Sequence, residues 1–528
     1  MLAVVSIGTG VAYSQGSAPK TEGAGLGPAT GIDTGSATGS DEEETSSGSG
    51  SALVAPKDPK ARGTWLRDKL DAAVNGHPTL GKAKIAAYVV DVEAGKELYG
   101  HAPDVGLNLA SNAKLLTSVA ALADLGGGFR WRTAVYADDL DEATGEVKGD
   151  LYVRGRGDPT LSEADLRQLA ADVAARGVRE VKGQLIVDTS YFDGDVEPPH
   201  FSDQPKEKSG FRAPVASFGV DKSSVTVNVI AEPGGTTKIW LSPDAGDYVK
   251  LTKAEATSDP VKPTRLKVDV KRAPKGDHLE VEITGTIRPT DGSFDRRYRI
   301  DDPAKFAAKV LQNALADAGV KVKKLGSGTV PTTAKLIAAH DSAPLALVIR
   351  EMNKQSDNYV AETVLKTLGA ETRTTPGPAS WADGLAARQS YLATIGLPTG
   401  SYKAENGSGL YAATEVSAKQ VVTLLRAAHR DYRIGPDLVA SLPTGGVDGT
   451  LAKRWHGHAA AGRVRAKTGT LDKVTTLAGY VAVDGGHELA FAILVNDIPT
   501  GQRNASRAMA DEMVDALVAY LEAAAVPR

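Results

Sequence analysis

The stretch RVRAKTGTLDKV, residues 463–474, is a basic, alternating segment that runs into Lys467, Thr468, Gly469 and Thr470. Alternation of this kind predicts a β-strand. Taken alone it reads as a charged edge strand, a common protection against edge-to-edge pairing. An ammonium, two hydroxyls and a missing side chain brought together would also make one wall of an active site. The residues C-terminal to it fix the setting. TTLAGYVAVD (475–484) and ELAFAILVND (488–497) read as two more strands joined by the turn DGGH, and NASRAMADEMVDALVAYLEAA (504–524) reads as a closing helix. The end of the chain is therefore expected to supply antiparallel strands covered by a helix.

Working outward, the chain has 528 residues, more than one compact core usually serves, so two or three domains are expected. Hydrophobic residues make up 41% and charged residues 24%, an ordinary soluble composition. A net charge of −4 argues against a polycationic nucleic-acid binder, which needs a surplus of Lys and Arg. There are no cysteines, so disulfides and thiolate metal sites are excluded. The only close histidine pair, His456 and His458 in RWHGHAAAG, lacks a carboxylate nearby in sequence and reads as a solvated loop.

The opening MLAVVSIGTGVAYSQG is apolar and too short for a membrane span of about 20 residues. Residues 1–14 read as a signal-like leader, with Ala12-Tyr13-Ser14 as a small-x-small cleavage site but without a basic start. Export to the cell envelope or beyond is expected. Residues 15–61 are rich in Gly, Ser and Thr with an acidic run, DEEETSS, and read as a disordered tether. The glycines of GAGLGPATG follow no strand and are not a nucleotide loop.

Order is expected from about Thr64. RDKLDAAVNGH (67–77) has helical spacing, KIAAYVVDVEAGKELYGH (84–101) reads as a hairpin, and a helix should run from about Ser111 to Leu125 with Leu115, Val119 and Leu122 as its stripe. Between about 130 and 335 the texture changes to short strands: RTAVYADD, GDLYVRG, GQLIVDTSYF, SSVTVNVIAE, RLKVDVKRA and HLEVEITGTI. Two helices, EADLRQLAADVAARG and PAKFAAKVLQNALADAG, interrupt and close that region. From about 337 helices return. Leu345, Val348, Ile349 and Met352 mark one, Val360, Val364 and Leu368 a second, and SAKQVVTLLRAAHRD (417–431) a third. NKQSDN (353–358) breaks the first two apart.

Three short elements carry chemistry. Ser111 and Lys114 are three apart at the start of a helix and so share one face, about 5–6 Å apart at Cβ. A lysine there, buried among cations, would have a lowered pKa and could accept the serine proton. Alone this means little, because Ser-x-x-Lys recurs at Ser17–Lys20 in the tether. Ser356-Asp357-Asn358 lies between two helices, where capping the second helix is its bland use. Lys467-Thr468-Gly469 is the opening stretch. The ordered set S-x-x-K, S-D-N, K-T-G, each on its expected element, is the signature of class A β-lactamases and penicillin-binding proteins.

The spacing narrows the resemblance. Lys114 and Ser356 are separated by over two hundred residues, with the β-rich region between them. GRGDPTL (155–161), MNKQSDNYVAE (352–362), ENGSGL (405–410) and SLPTGGVDGTL (441–451) fill the gaps. Over about 64–528 the chain resembles the class C low-molecular-mass penicillin-binding proteins, the D-alanyl-D-alanine carboxypeptidase/endopeptidase family. The family often has Asp-Gly-Ser-Gly where this chain has Asn406-Gly407-Ser408-Gly409, so Asn406 receives no catalytic role.

The resemblance implies an α/β (α+β type) fold. A transpeptidase-like domain, with a central antiparallel sheet flanked by helices, would be formed by 62–128 and 337–528. Inserted β-rich second and third domains would occupy 129–336. It implies that Ser111 attacks the carbonyl between two D-alanines, with Lys114 as general base. Ser356 would relay a proton, held by Lys114 and Lys467, and Asn358 would position Lys114 and the substrate amide. Lys467, Thr468 and Thr470 would bind the terminal carboxylate, and the N–H groups of Ser111 and Thr470 would form the oxyanion hole. Gly469 would let the substrate lie along the strand edge. Peptidoglycan stem peptides would be the substrate and β-lactams covalent inhibitors, with no metal or cofactor. Two other readings share these residues: a serine β-lactamase, and a non-catalytic cell-wall binding protein that kept the fold.

Overall fold

The computed structural model describes residues 53–525, apart from 275 and 277. The expected leader, 1–14, and the tether as far as residue 52 lie outside the described residues. Order begins before Thr64. Asp58 caps helix α1 (Pro59–Asn75), its carboxylate accepting from the Ala61 N–H at 2.8 Å, with Pro59 in the first turn. The tether expected to reach residue 61 therefore overlaps the first turn of this helix.

The N- and C-terminal parts of the chain build one antiparallel sheet of five strands, in the order Glu97–His101, Lys84–Asp91, Glu488–Asn496, Val474–Ala482, Val464–Leu471. Lys84 lies opposite Asn496, so the first hairpin and the last are stitched together at the centre. Both faces are covered, which is why these strands read as near-continuous apolar runs. Ala87, Val89, Phe491 and Ile493 point to a core shared with α1 and the last helix, α10 (Arg503–Ala524). Ala86, Tyr88, Ala490 and Ala492 point the other way. There they meet α2 (Ala113–Asp124), α5 (Leu345–Gln355), α6 (Asn358–Thr372), α8 (Ala418–Arg430) and α9 (Gly435–Ser441). α7 (Trp381–Thr394) packs outside α2 and α6, with Leu392 in the same core. Helix α2 has no solvent face: every residue from Ala113 to Leu122 is buried, so the expected stripe is the whole helix.

The intervening region holds a mixed five-stranded sheet, ordered Lys324–Ser327, Gln184–Asp188, Leu151–Arg154, Arg132–Ala137, Lys335–Asp341. Its helices are α3 (Glu163–Ala175) and α4 (Pro303–Asp317). Two three-stranded sheets follow, one centred on Ser224–Ala231 and one on Leu279–Ile287. Buried side chains from all three sheets form a single contiguous cluster, from Val135 to Ala338. The entering strand Arg132–Ala137 and the leaving strand Lys335–Asp341 pair antiparallel, and Arg132 grips Asp341 through two 2.7 Å bonds at the base. A junction at 336/337 would cut that last strand, and the sheet continues to Asp341. The strand Val249–Ser258 escaped sequence reading because only Val249 and Ala256 on it are buried.

Candidate active site

Ser111 sits in a 3₁₀ turn, Ala110–Asn112, that leads into α2. The turn is fixed from several sides. Asn496 both accepts from the Asn108 N–H at 2.8 Å and donates to its carbonyl at 3.0 Å. Thr476 donates to the Leu109 carbonyl at 2.8 Å, and Thr414 accepts from the Leu109 N–H at 2.9 Å. Ala110 is held at φ 45°, a left-handed conformation that a non-glycine residue keeps only where its surroundings over-determine it.

Lys114 is fully buried and meets three oxygens: Ser111 Oγ at 3.0 Å, Asn358 Oδ1 at 2.7 Å and the Ser408 carbonyl at 2.9 Å. Burial pushes its pKa down to about 7, against the opposing pull of Glu362 and Asp357. The orientation of the Asn358 amide is settled by its other end. Nδ2 faces the Phe211 carbonyl at 3.1 Å, which can only accept, so Oδ1 faces Lys114. A neutral Lys114 amine has two N–H bonds and one lone pair. Its two partners that can only accept, Asn358 Oδ1 and Ser408 O, take the N–H bonds. The lone pair is left for the Ser111 hydroxyl, the one neighbour with a proton to give.

Lys467 is also buried, on the edge strand Val464–Leu471. It donates to Ser356 Oγ at 2.9 Å and to the Thr468 carbonyl at 2.8 Å. Burial, aided by the charge of Lys114, holds its pKa well below the usual lysine range. Ser356 ends α5 in a left-handed conformation, φ 58°, and Asp357 then caps α6 by accepting from the Val360 N–H at 3.2 Å. Sequence reading expected Ser356 to be held by both lysines. Its hydroxyl bonds Lys467, whereas the three partners of Lys114 are Ser111, Asn358 and Ser408. The structure thus yields two lysine–serine pairs, 111/114 and 356/467.

Thr468 Oγ1 lies 2.7 Å from Thr450 Oγ1, which ties the edge strand to the SLPTGGVDGTL segment. That segment covers the N-terminal half of the strand: the Gly445 N–H donates to the Val464 carbonyl at 2.9 Å, and the Ala466 N–H to the Pro443 carbonyl at 3.0 Å. The use of Gly469 differs from expectation. A Cβ there would collide with Thr476 Oγ1 and come within 2.7 Å of the Leu109 carbonyl and 3.0 Å of the Ser111 nitrogen. The missing side chain makes room for the nucleophile turn.

Several residues around the site were not singled out from the sequence. Glu362, fully buried, accepts from the N–H groups of Gly407 and Ser408, both at 2.8 Å. Arg388, also buried, donates to the carbonyls of Ala404 and Asn406 at 2.6 and 2.7 Å. Lys222 reaches from the inserted region to Asp357 at 2.9 Å and Glu351 at 2.7 Å. Glu362 did leave a signal, since it stands four residues after Asn358 on the same helix face. Arg388 left none. Asn406 folds its own turn, accepting from the Gly409 N–H at 2.8 Å and donating to the Pro199 carbonyl at 3.1 Å. His458, read as solvated, lies 3.7 Å from the Asp515 carboxylate, a partner remote in sequence. Among the described residues no group of three or more His, Asp or Glu is arranged to hold a metal ion, and no helix is long and apolar enough to cross a membrane.

Comparison with known proteins gives the family. Residues 66–519 match the D-Ala-D-Ala carboxypeptidase 3 (S13) family. A D-alanyl-D-alanine carboxypeptidase of Actinomadura sp. (strain R39) is 37% identical over 455 residues, spanning 83% of this chain and 82% of that protein. The D-alanyl-D-alanine carboxypeptidase DacB of Haemophilus influenzae is 27% identical over 398 residues, 74% of this chain and 81% of that one. The crystal structure of penicillin-binding protein 4 from Haemophilus influenzae superposes with a TM-score of 0.70 at 23% identity, covering 86% of this chain and 99% of that chain. The fold is thus the penicillin-binding, transpeptidase-like one with an inserted region. The chain belongs to the D-Ala-D-Ala carboxypeptidase 3 (S13) family and is a serine-type D-Ala-D-Ala carboxypeptidase.

Proposed function

We propose that this carboxypeptidase trims peptidoglycan stem peptides through an acyl-enzyme on Ser111, and that β-lactams acylate the same serine. The observation that carries this reading is the environment of Lys114. Two fixed acceptors occupy its N–H bonds, so its lone pair is aimed at the Ser111 hydroxyl 3.0 Å away. A pKa of about 7 supplies a substantial fraction of neutral amine at neutral pH.

Ser111 Oγ attacks the carbonyl between the two D-alanines as its proton passes to Lys114. The N–H groups of Ser111 and Thr470 receive the oxyanion. The tetrahedral intermediate collapses, the C–N bond breaks, and the leaving amine takes the Ser356 hydroxyl proton, which the Lys467 ammonium replaces, so that Lys114 keeps the proton of Ser111. Water then attacks the ester, giving a proton through Ser356 to the now neutral Lys467, and Lys114 returns its proton to Ser111 Oγ as the shortened peptide leaves. The substrate lies along the open half of the edge strand as an added strand. Its terminal carboxylate meets Lys467, Thr468 and Thr470, and this anion restores the charge that burial disfavours on Lys467. Asn358 positions Lys114 and the substrate amide. No metal or cofactor enters the scheme. The catalytic domain comprises the two outer segments, and endopeptidase cleavage of cross-links is the same chemistry on a second bond. Such a substrate places the protein in the cell envelope or outside the cell.

Intact-mass analysis after benzylpenicillin, with the adduct mapped to a peptide, tests the scheme. One penicilloyl group on Ser111, absent in Ser111→Ala, is expected; an adduct that survives the substitution overturns the nucleophile assignment. A long-lived adduct with D-alanine release from a diacyl peptide separates this reading from a β-lactamase and from a non-catalytic binder.

A further inference from the structure

The Lys114 amine depends on a carbonyl outside the three motifs that carry the chemistry. Ser408 supplies it from the tight turn Asn406–Gly409, and nearly every polar group of that turn has a partner. Thr117 on α2 donates to the Gly407 carbonyl at 2.9 Å. Arg388 on α7 holds the carbonyls of Asn406 and Ala404. Glu362 on α6 receives the two adjacent N–H groups, Gly407 on Oε2 and Ser408 on Oε1, each at 2.8 Å. A buried carboxylate costs several kcal/mol unless its oxygens are met by donors. Here each oxygen faces a backbone N–H, an arrangement that suits the anion.

We propose that Glu362 is a positioning residue for acylation: by gripping the N–H groups of Gly407 and Ser408 it sets the carbonyl of Ser408 against Lys114, and its negative charge sets the proton affinity of that amine. The proposal rests on the reading of Lys114 as the base for Ser111.

The charged groups that face Lys114 are few. Glu362 and Asp357 on α6 favour its protonated form, and Lys467 on the edge strand opposes it. Arg388 faces Glu362 from behind the turn. Burial pushes the Glu362 carboxyl up on balance, against the pull of the Ser408 hydroxyl, the two N–H groups and Lys114. Removing the charge at 362 leaves Lys114 with less to hold its proton, so its pKa falls. Removing the grip on the turn lets the Ser408 carbonyl drift, so the lone pair is less well aimed. The two consequences are measured separately, as the position of the acid limb and the height of the plateau.

The test is the second-order rate of benzylpenicillin acylation across pH for the wild type and Glu362→Gln, with melting temperature as the folding control. In the variant the plateau is expected to fall roughly tenfold and the acid limb to move to lower pH by about half a unit to one unit. A lowered plateau with an unmoved limb overturns the electrostatic role, and an unchanged profile overturns the proposal outright. If Glu362→Gln does not fold, Thr117→Val carries the test. It removes the partner of the Gly407 carbonyl without altering charge, and should lower the plateau with the limb in place; an unchanged plateau overturns control through this turn. The wild type separates this proposal from the reading beneath it. No adduct on Ser111 rejects the catalytic scheme, whereas a normal wild-type adduct with an unchanged profile in Glu362→Gln rejects the role of Glu362 alone.

Discussion

Asn358 Nδ2 donates to the Phe211 carbonyl at 3.1 Å, across 147 residues of chain. One residue belongs to the S-D-N loop and the other to the inserted region. A backbone carbonyl only accepts, so this bond fixes which end of the amide meets Lys114. The insert is therefore part of the active-site wall. Asn358→Asp would set an oxygen against the Phe211 carbonyl and a negative charge against Lys114. The charge raises the Lys114 pKa, so the acid limb of acylation is expected to move up by about one unit. At pH 7 the rate should fall by roughly 100-fold, the scale of a disrupted general base. A benzylpenicillin acylation profile identical to the wild type would contradict this account.

The pH dependence of the unmodified enzyme derives from Lys114 itself. Burial lowers its pKa to about 7. The neutral amine is the active form, so acylation should rise with pH through about 7 as a single-proton limb and level off above it. Lys114→Arg should abolish the limb with the activity, because a guanidinium stays charged throughout. Stopped-flow acylation from pH 5 to 9 shows whether the limb lies there; a limb near pH 10 would mean that the amine is not buried in solution.

Much of this was legible in the sequence, for identifiable reasons. The hairpins 84–101 and 474–496 showed as long apolar strands because both faces of their sheet are covered. The Ser111–Lys114 pair showed because helical spacing alone brings i and i+3 together. The rest depends on contacts between distant segments. No spacing rule links Ser408 to Lys114 across 294 residues, and the carbonyl that matters carries no side-chain signal. Gly469 was read as an opening for substrate, yet its neighbours are Leu109 and Ser111, visible only once the edge strand lies against the nucleophile turn. Val249–Ser258 went unread because its alternating partners are exposed.

At Gly469 the closest backbone approaches of an added Cβ, 2.7 Å to the Leu109 carbonyl and 3.0 Å to the Ser111 nitrogen, are to atoms that cannot swing aside. Gly469→Ala should destabilise by about 1–3 kcal/mol, as overpacking does, and push the edge strand away from Ser111. Acylation should slow at least about tenfold even in the folded fraction. Adding Thr476→Ala removes the clash with the threonine hydroxyl, together with its bond to the Leu109 carbonyl, but leaves both backbone contacts, so it should not restore the rate. Full recovery in the double variant would show that the glycine serves only its strand neighbour.

A clamp joins the insert to the S-D-N loop. Asp221, Lys222 and Ser223 are three consecutive left-handed residues, φ 47°, 56° and 49°, a conformation that persists only when contacts hold it. Lys222 reaches Asp357 and Glu351, with Arg297 at 3.9 Å from Asp357 as second cation, while Asp221 accepts from the Glu163 N–H and the Ser223 carbonyl from the Ile300 N–H. Burial alone would raise the Asp357 pKa, but Lys222 and Arg297 keep the carboxyl well below the usual range. A depressed carboxylate contributes stability that is present above its unfolded pKa of about 4 and is lost as pH falls through the lower folded value. Lys222→Met leaves the Asp357 charge only Arg297 at 3.9 Å and should lower stability by roughly 3 kcal/mol at pH 7. Adding Asp357→Asn removes the stranded charge and keeps a capping side chain, so it should restore most of the loss. Because Asp357 sits between Ser356 and Asn358, acylation should slow in the single variant while Ser111, Lys114 and Lys467 remain intact. Urea unfolding and acylation of the two variants decide the matter: if Lys222→Met unfolds and acylates like the wild type, the insert does not hold the loop, and the strained turn at 221–223 must have another cause.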